Sequence, residues 1–345
     1  MASSTPSYAL VTGATGFIGA HVVDNLLKRG LRVRGATRSL QKGGQMKAAR
    51  PEYASKLDFV QVEDFTNVGG VFDGLLQDIN AVIHVASPLT YTITDNEKEL
   101  ILPAINGVKS ILSASAQPGS KVQRIVITSS FASVIDINKP TDPTFTYTSS
   151  HWNPLTYEES ISPNTSPVVA YRGSKKFSEL AAWEFVEREK PNFDIVTLCP
   201  PMTFGPIVHP VADTSQLNDS NAVLWSIAQG ADPLPVARVS AWIDVRDLAE
   251  AHVQALLTPE VGGKRYVVAS PEPFSYQFAA DIMKDEFEWA RGVVAKGEDE
   301  GARPSASYKL DGGAVTRDMG VEYRAFRESV VDFVRQVKET LVKGE

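Results

Sequence analysis

Short apolar runs alternate with helix-spaced segments through the first 200 residues, and that alternation leaves few folds open. "YALVT" (8–12), "LRVRGA", "LDFVQV" (57–62), "NAVIHVA" (80–86), "VQRIVIT" (122–128) and "FDIVTLC" (193–199) read as buried strands. Between them, "FIGAHVVDNLLKRG" carries Phe17, Val22, Leu26 and Leu27 at helical spacing and stops at Gly30. Leu100, Ile101, Ile105, Val108, Ile111 and Leu112 mark a second helix over 95–116, and a third pattern runs from about 166 to 189. Strands in alternation with helices require a parallel sheet covered on both faces, a Rossmann-type doubly wound α/β fold. The expected division is a dinucleotide-binding Rossmann domain over 1–200. A smaller, mainly substrate-binding region follows over 201–345, with some of its segments returning to the sheet. In that region "DVRDLAEAHVQALL" (244–257) reads as a helix that Asp247 caps, with Glu250 completing a capping box.

The turn after the first strand is "TGATGFIG" (12–19). Gly13, Gly16 and Gly19 allow a tight turn and a close approach of backbone to a diphosphate, and the helix that follows offers free N–H groups. Gly13, Thr15, Gly16, Phe17, Ile18 and Gly19 are the expected cofactor contacts here. The end of the second strand refines the cofactor. NAD-binding folds usually carry an acid there for the ribose 2′-OH. This chain reads "GATRSLQK", with Arg38 and then Lys42, which suits a 2′-phosphate and hence NADPH. Two solvated surface cations are the alternative. Asp64, just after the third strand, is placed to accept from an adenine amino group or to cap the next helix.

In an open parallel sheet, ligands sit beyond the strand tips. The fifth run ends in hydroxyls, Thr128, Ser129 and Ser130. Tyr171 and Lys175 lie on one face of the following helix, and no other tyrosine of the chain has lysine four positions on. A proton donor is what hydride addition to a carbonyl needs, because charge builds on oxygen. A nearby ammonium lowers a tyrosine that would otherwise titrate near 10.

Together T-G-x-x-G-x-x-G at 12–19, "TSS" at 128–130, Y-x-x-x-K at 171–175 and "DVRD" at 244–247 resemble the extended short-chain dehydrogenases/reductases over nearly the whole chain. "HVASP" (84–88), "PAINGVKSIL" (103–112), "AYRGSKKFSELAAWEF" (170–185) and "IDVRDLAEAH" (243–252) resemble the dihydroflavonol-4-reductase-like branch, in particular fungal NADPH-dependent aldehyde and ketone reductases. The resemblance implies that Ser130 hydrogen-bonds the substrate carbonyl and that Tyr171 donates the proton. It implies that Lys175 binds the nicotinamide ribose and acidifies Tyr171, and that Asn106 stands near the proton relay. Backbone from Pro200 to Thr203 would hold the carboxamide. Many relatives read Asn-Pro where this chain has Cys199-Pro200-Pro201, and the second proline removes an N–H. Leu89, Phe131, Val134, Val168, Met202 and Trp242 are the expected substrate contacts. Arg172 and Lys176 are expected to turn away from the Tyr171 face, leaving an apolar pocket for uncharged carbonyl compounds.

Composition excludes several other functions. A net charge of −7 disfavours nucleic acid or an anionic membrane as partner. No apolar run reaches the length of a membrane helix, and the N-terminus lacks a signal-peptide pattern. One cysteine, Cys199, and five scattered histidines give no zinc-ligand spacing, so no metal is expected. A cytoplasmic monomer or homodimer acting on a small carbonyl substrate is the expectation. The rivals are a nucleotide-sugar epimerase, a hydroxysteroid dehydrogenase, or a non-catalytic NADP-sensing protein.

Overall fold

The computed structural model describes residues 6–66, 70–72, 74–87, 93–299, 301–302 and 304–342. The strands are β1 Tyr8–Thr12, β2 Arg32–Thr37, β3 Leu57–Gln61, β4 Ala81–His84, β5 Arg124–Thr128, β6 Thr146–Tyr147, β7 Asp194–Cys199, β8 Met202–Phe204, β9 Trp242–Asp244, β10 Arg265–Val267 and β11 Lys309–Leu310. Seven of them form one parallel sheet in the order β10-β7-β5-β4-β1-β2-β3. β6 pairs with β11, and β8 with β9. The α-helices are α1 Phe17–Lys28, α2 Leu40–Ala48, α3 Leu102–Ser115, α4 Tyr157–Ile161, α5 Pro167–Glu189, α6 Asp219–Ala228, α7 Val245–Leu257, α8 Tyr276–Glu286, α9 Gly313–Met319 and α10 Phe326–Thr340.

Alternate residues of the strands feed opposite layers. Val11, Ile83, Val126 and Val196 pack with α1 and α7 on one face. Their neighbours Leu10, Val82, Ile125 and Ile195 pack with α3 and α5 on the other. This is why the strands read as unbroken apolar runs, and each such side chain contributes about 1.5–3 kcal/mol when fully buried. The chain moves outward through β2 and β3, then returns to the far side of β1 as β4. The strand order reverses between β1 and β4, and a crevice opens at their C-terminal ends.

After residue 200 the chain builds a second apolar cluster from β8, α6, α8 and α10, centred on Phe204, Trp225, Trp242, Phe274 and Phe326. It also sends β10 back to the sheet beside β7. Here one sequence expectation is corrected. α7 starts at Val245, and Asp244, not Asp247, caps it by accepting from the Arg246 N–H at 2.7 Å. Asp247 lies inside the first turn, where it accepts from the Arg324 N–H at 2.7 Å and pairs with the Arg324 guanidinium. Glu250 is held by Asn25 at 2.9 Å and Arg29 at 2.6 Å, so no capping box forms. The segment carries acids at both 244 and 247, and β9 carries regular backbone as far as the first of them.

Candidate active site

A cleft of about 1430 Å³ runs along the C-terminal ends of the central strands, from the glycine turn to the loops that follow β7. At its first end, Gly13 has φ +66, and a Cβ there would stand 3.1 Å from the Ala86 nitrogen. Only glycine meets both conditions. A Cβ on Gly19 would lie 2.2 Å from the Gly13 carbonyl oxygen, so α1 closes directly on the turn. Gly16 caps α1 with no side chain to bond the first-turn N–H groups, and that turn holds no acid. Thr15 and Thr37 hydroxyls meet at 2.9 Å and tie the turn to the tip of β2. Such an N-terminus fits an anionic diphosphate.

Arg38 and Lys42 are both exposed, and both border this end of the cleft. Ser39, between them, caps α2 by accepting from the Lys42 N–H at 3.3 Å. Asp64 also borders the cleft. Its Oδ1 accepts from the Thr66 hydroxyl at 2.6 Å and from the Thr66 N–H at 2.8 Å, and these bonds hold the carboxyl below its usual range. His209, which sequence reasoning did not select, reaches the same end. Its ring lies 6.0 Å from that of Phe17, and burial, helped by His21 and Lys42, pushes it down to about 4.

Ser130, Tyr171 and Lys175 border the middle of the cleft. The three strand-end hydroxyls are sorted by their partners. Thr128 bonds His252 at 2.6 Å, and Ser129 donates to the buried Glu179 at 2.6 Å. Ser130 is half-buried and accepts from the Ala132 N–H at 3.1 Å, which leaves its own proton to donate. Lys175 is 7% exposed, and its Nζ donates to Ser87 Oγ at 2.8 Å and lies 5.8 Å from the centre of the Tyr171 ring. Burial pushes the Lys175 ammonium down to about 8, against the pull of the Glu179 carboxylate. His84, buried on β4, bonds Thr12 Oγ1 at 2.9 Å, and burial followed by Lys175 pushes it down to about 4.

Pro200, Met202 and Thr203 border the cleft past β7. The Pro200 carbonyl already accepts from the Phe131 N–H at 2.8 Å, and the Thr203 hydroxyl donates to Pro201 O at 3.3 Å. Phe131 and Val168 border the cleft as well, but Phe131 is 2% exposed and packs edge-on to Tyr147.

Several expected contacts are placed elsewhere. Trp242 is fully buried, its ring 4.9 Å from Phe326 and its indole N–H donating to Glu272 O at 2.7 Å. It is a core residue because β9 points it inward. Val134 is fully buried beneath Phe131 in the cluster with Tyr147. Asn106 is half-buried on α3, where the residues that border the cleft are Pro103, Ala104, Gly107 and Val108. Leu89 lies outside the described residues. Lys176 does turn away, donating to Leu155 O at 2.7 Å. Arg172 does not: it borders the cleft, and so does Arg238 from the loop before β9. The expectation of a cation-free substrate end is therefore corrected. A long flexible guanidinium can reach round a helix face that its Cβ does not share.

The chain is similar to known proteins along nearly its whole length. The profile of the NAD dependent epimerase/dehydratase family matches residues 9–269. The NADPH-dependent methylglyoxal reductase of Saccharomyces cerevisiae is 35% identical over 339 residues, covering 95% of this chain and 97% of that protein. A ketoreductase of Aspergillus niger is 33% identical over 337 residues, covering 96% and 97%. The crystal structure of yeast methylglyoxal/isovaleraldehyde reductase complexed with NADPH superposes with a TM-score of 0.89 at 34% identity, over 96% of this chain and 98% of that one.

Proposed function

The chain belongs to the NAD dependent epimerase/dehydratase family, and we propose that within it the chain is an NADPH-dependent reductase converting aldehydes and ketones to alcohols. The observation that carries this reading is the shared cleft. An uncapped glycine turn, two cations at the tip of β2 and the Ser130, Tyr171 and Lys175 set all border it. The relatives named as NADPH-dependent or as a ketoreductase support it over an epimerase, a hydroxysteroid dehydrogenase or a non-catalytic sensor.

Gly13, Thr15, Gly16, Phe17, Ile18 and Gly19 hold the diphosphate, Arg38 and Lys42 the 2′-phosphate, and Asp64 the adenine amino group. Lys175 would hold the nicotinamide ribose, and Pro200 and Thr203 would hold the carboxamide. When bound, the cofactor supplies the hydride. Ser130 donates a hydrogen bond to the substrate carbonyl oxygen. Tyr171 delivers the proton that this oxygen takes up as the C–H bond forms. Lys175, as ammonium, stabilises the tyrosinate left behind and favours the transfer. Phe131, Val168 and Met202 exclude water from the reacting carbon.

The substrate is a carbonyl compound of modest size, in keeping with the relative named for methylglyoxal and isovaleraldehyde. A monomer or homodimer is the proposed assembly. Among the described residues no helix is long and apolar enough to cross a membrane, and the cytoplasm is the proposed location. The test is consumption of NADPH with isovaleraldehyde, an aryl ketone and a keto ester, with the alcohol identified as product. No turnover with any carbonyl compound overturns the reading.

A further inference from the structure

Glu179 follows Lys175 on α5 at the same four-residue spacing by which Lys175 follows Tyr171, so the three share one stripe of the helix. It is 1% exposed. An ionised carboxylate at such depth is costly unless every oxygen is bonded, and here every element around it contributes a donor. Ser129 at the tip of β5 and Ser133 in the next turn donate to Oε2 at 2.6 and 2.7 Å. Thr197 of β7 donates to Oε1 at 2.7 Å. Arg265 of β10 donates from Nε to Oε1 at 2.7 Å and from Nη2 to Oε2 at 3.2 Å. The guanidinium is itself held by Ser133 Oγ at 3.0 Å and lies 3.7 Å from the centre of the Trp152 ring.

Two consequences reach the reacting groups. Ser130 lies between Ser129 and, three residues on, Ser133, so Glu179 grips both ends of the turn that presents Ser130. The second consequence is electrostatic. Lys175 is faced by Ser87 and His84 from β4 and the segment after it, by Cys199 from β7, and by Tyr171 and Glu179 from its own helix. Burial keeps His84 neutral near pH 7, and pushes the Cys199 thiol up to about 12, so it too is uncharged. Glu179 is then the one anion of this set. Arg265 on β10 binds it through two guanidinium nitrogens.

We propose that Glu179 is a positioning residue of the reductase, whose carboxylate fixes the turn carrying Ser130 and whose negative charge keeps Lys175 an ammonium beside Tyr171. The proposal rests on the reductase reading above. A merely structural staple would slow turnover equally at all pH values, whereas loss of this charge moves a titration.

The test compares Glu179→Gln, which keeps shape and removes charge, with Glu179→Asp, which keeps charge and shortens reach. Lys175 is titrated in the cofactor-free protein by NMR of 13C-labelled lysine, assigned with Lys175→Arg. In parallel, the pH profile of kcat is recorded. In Glu179→Gln the Lys175 midpoint falls by about one pH unit or more, and the alkaline limb of kcat falls with it. In Glu179→Asp the midpoint stays near the wild-type value while kcat drops. Should the unpaired Arg265 prevent Glu179→Gln from folding, Glu179→Gln/Arg265→Met removes both buried charges. Its midpoint also falls, because Glu179, one helical turn along the same stripe of α5, acts on the Lys175 ammonium and Arg265 does not. A folded Gln variant, single or double, with an unmoved Lys175 midpoint overturns the proposal, as do Gln and Asp variants that shift alike. If the wild-type protein reduces no carbonyl compound, the reductase reading fails on its own, and the NMR titration still decides the coupling.

Discussion

Lys175→Met exchanges a buried ammonium for a thioether of similar length, and it sets stability against function. The folded lysine holds its proton more weakly than the free side chain, about 8 against 10.5, chiefly because of burial. Below about pH 8 both folded and unfolded chains carry that proton, and the folded state bears the whole cost of burying it. Between about 8 and 10.5 the folded lysine releases its proton while the unfolded one retains it, so the cost fades as pH rises. The span from 10.5 to about 8, at about 1.36 kcal/mol per unit, is about 3 kcal/mol. Removing the ammonium leaves Ser87 exposed to water, which replaces the lost donor cheaply, and leaves Glu179 with Arg265. The loss of Glu179's attraction to Lys175 trims the gain. Lys175→Met should therefore be more stable than the wild type by about 1–3 kcal/mol near pH 7 while losing reductase activity. The assay is urea unfolding of the cofactor-free protein near pH 7 and again near pH 10. The stability difference must shrink at the higher pH. A variant less stable than wild type near pH 7, or a difference that ignores pH, refutes the reasoning that Lys175 is buried at a cost for the sake of chemistry.

Arg38→Ala should weaken NADPH binding by about one to two decades, the loss of one charge-assisted contact of about 1.5–3 kcal/mol. NADH binding should be nearly unchanged, and equal losses for both cofactors, measured by fluorescence titration, would refute the 2′-phosphate role. Tyr171→Phe should lower kcat by about 10²–10⁴-fold with NADPH affinity retained, and near-normal turnover would remove Tyr171 as proton donor. Because Arg172 and Arg238 border the cleft, Arg172→Ala and Arg238→Ala should lower kcat/KM for pyruvate more than for isovaleraldehyde, since a guanidinium replaces the water that a carboxylate sheds. Equal effects on both substrates refute a role for either cation at the substrate.

The strands of the sheet were legible because a parallel strand buried on both faces leaves an unbroken apolar run, as in β1 and β4. The short pairs β6–β11 and β8–β9 were not legible. Two or three residues set no period, and their pairing joins segments far apart in the chain. The glycine turn and the Tyr171–Lys175 pair were visible because local spacing alone puts them on a strand–helix turn and on one helix face. Trp242 shows the opposite case. Next to a loop rich in proline it passes for a pocket wall, and only the packing of β9 against Phe326 shows that the ring points into the core.

The choice among Thr128, Ser129 and Ser130 follows the same rule. Nothing in the string "TSS" separates them, and the family resemblance had to select Ser130. Their environments differ because of partners more than forty residues away in sequence: His252 for Thr128, and Glu179 for Ser129. Glu179 itself reads as one more charged residue on a helix whose apolar periodicity is weak. Its partner Arg265 lies far along the chain, on a strand that returns to the sheet after the second apolar cluster is built. A local motif can name a hydroxyl, a tyrosine and a lysine. The charge that sets the lysine's protonation comes from contacts across β5, β7, β10 and α5, and these exist only once the sheet has closed around them.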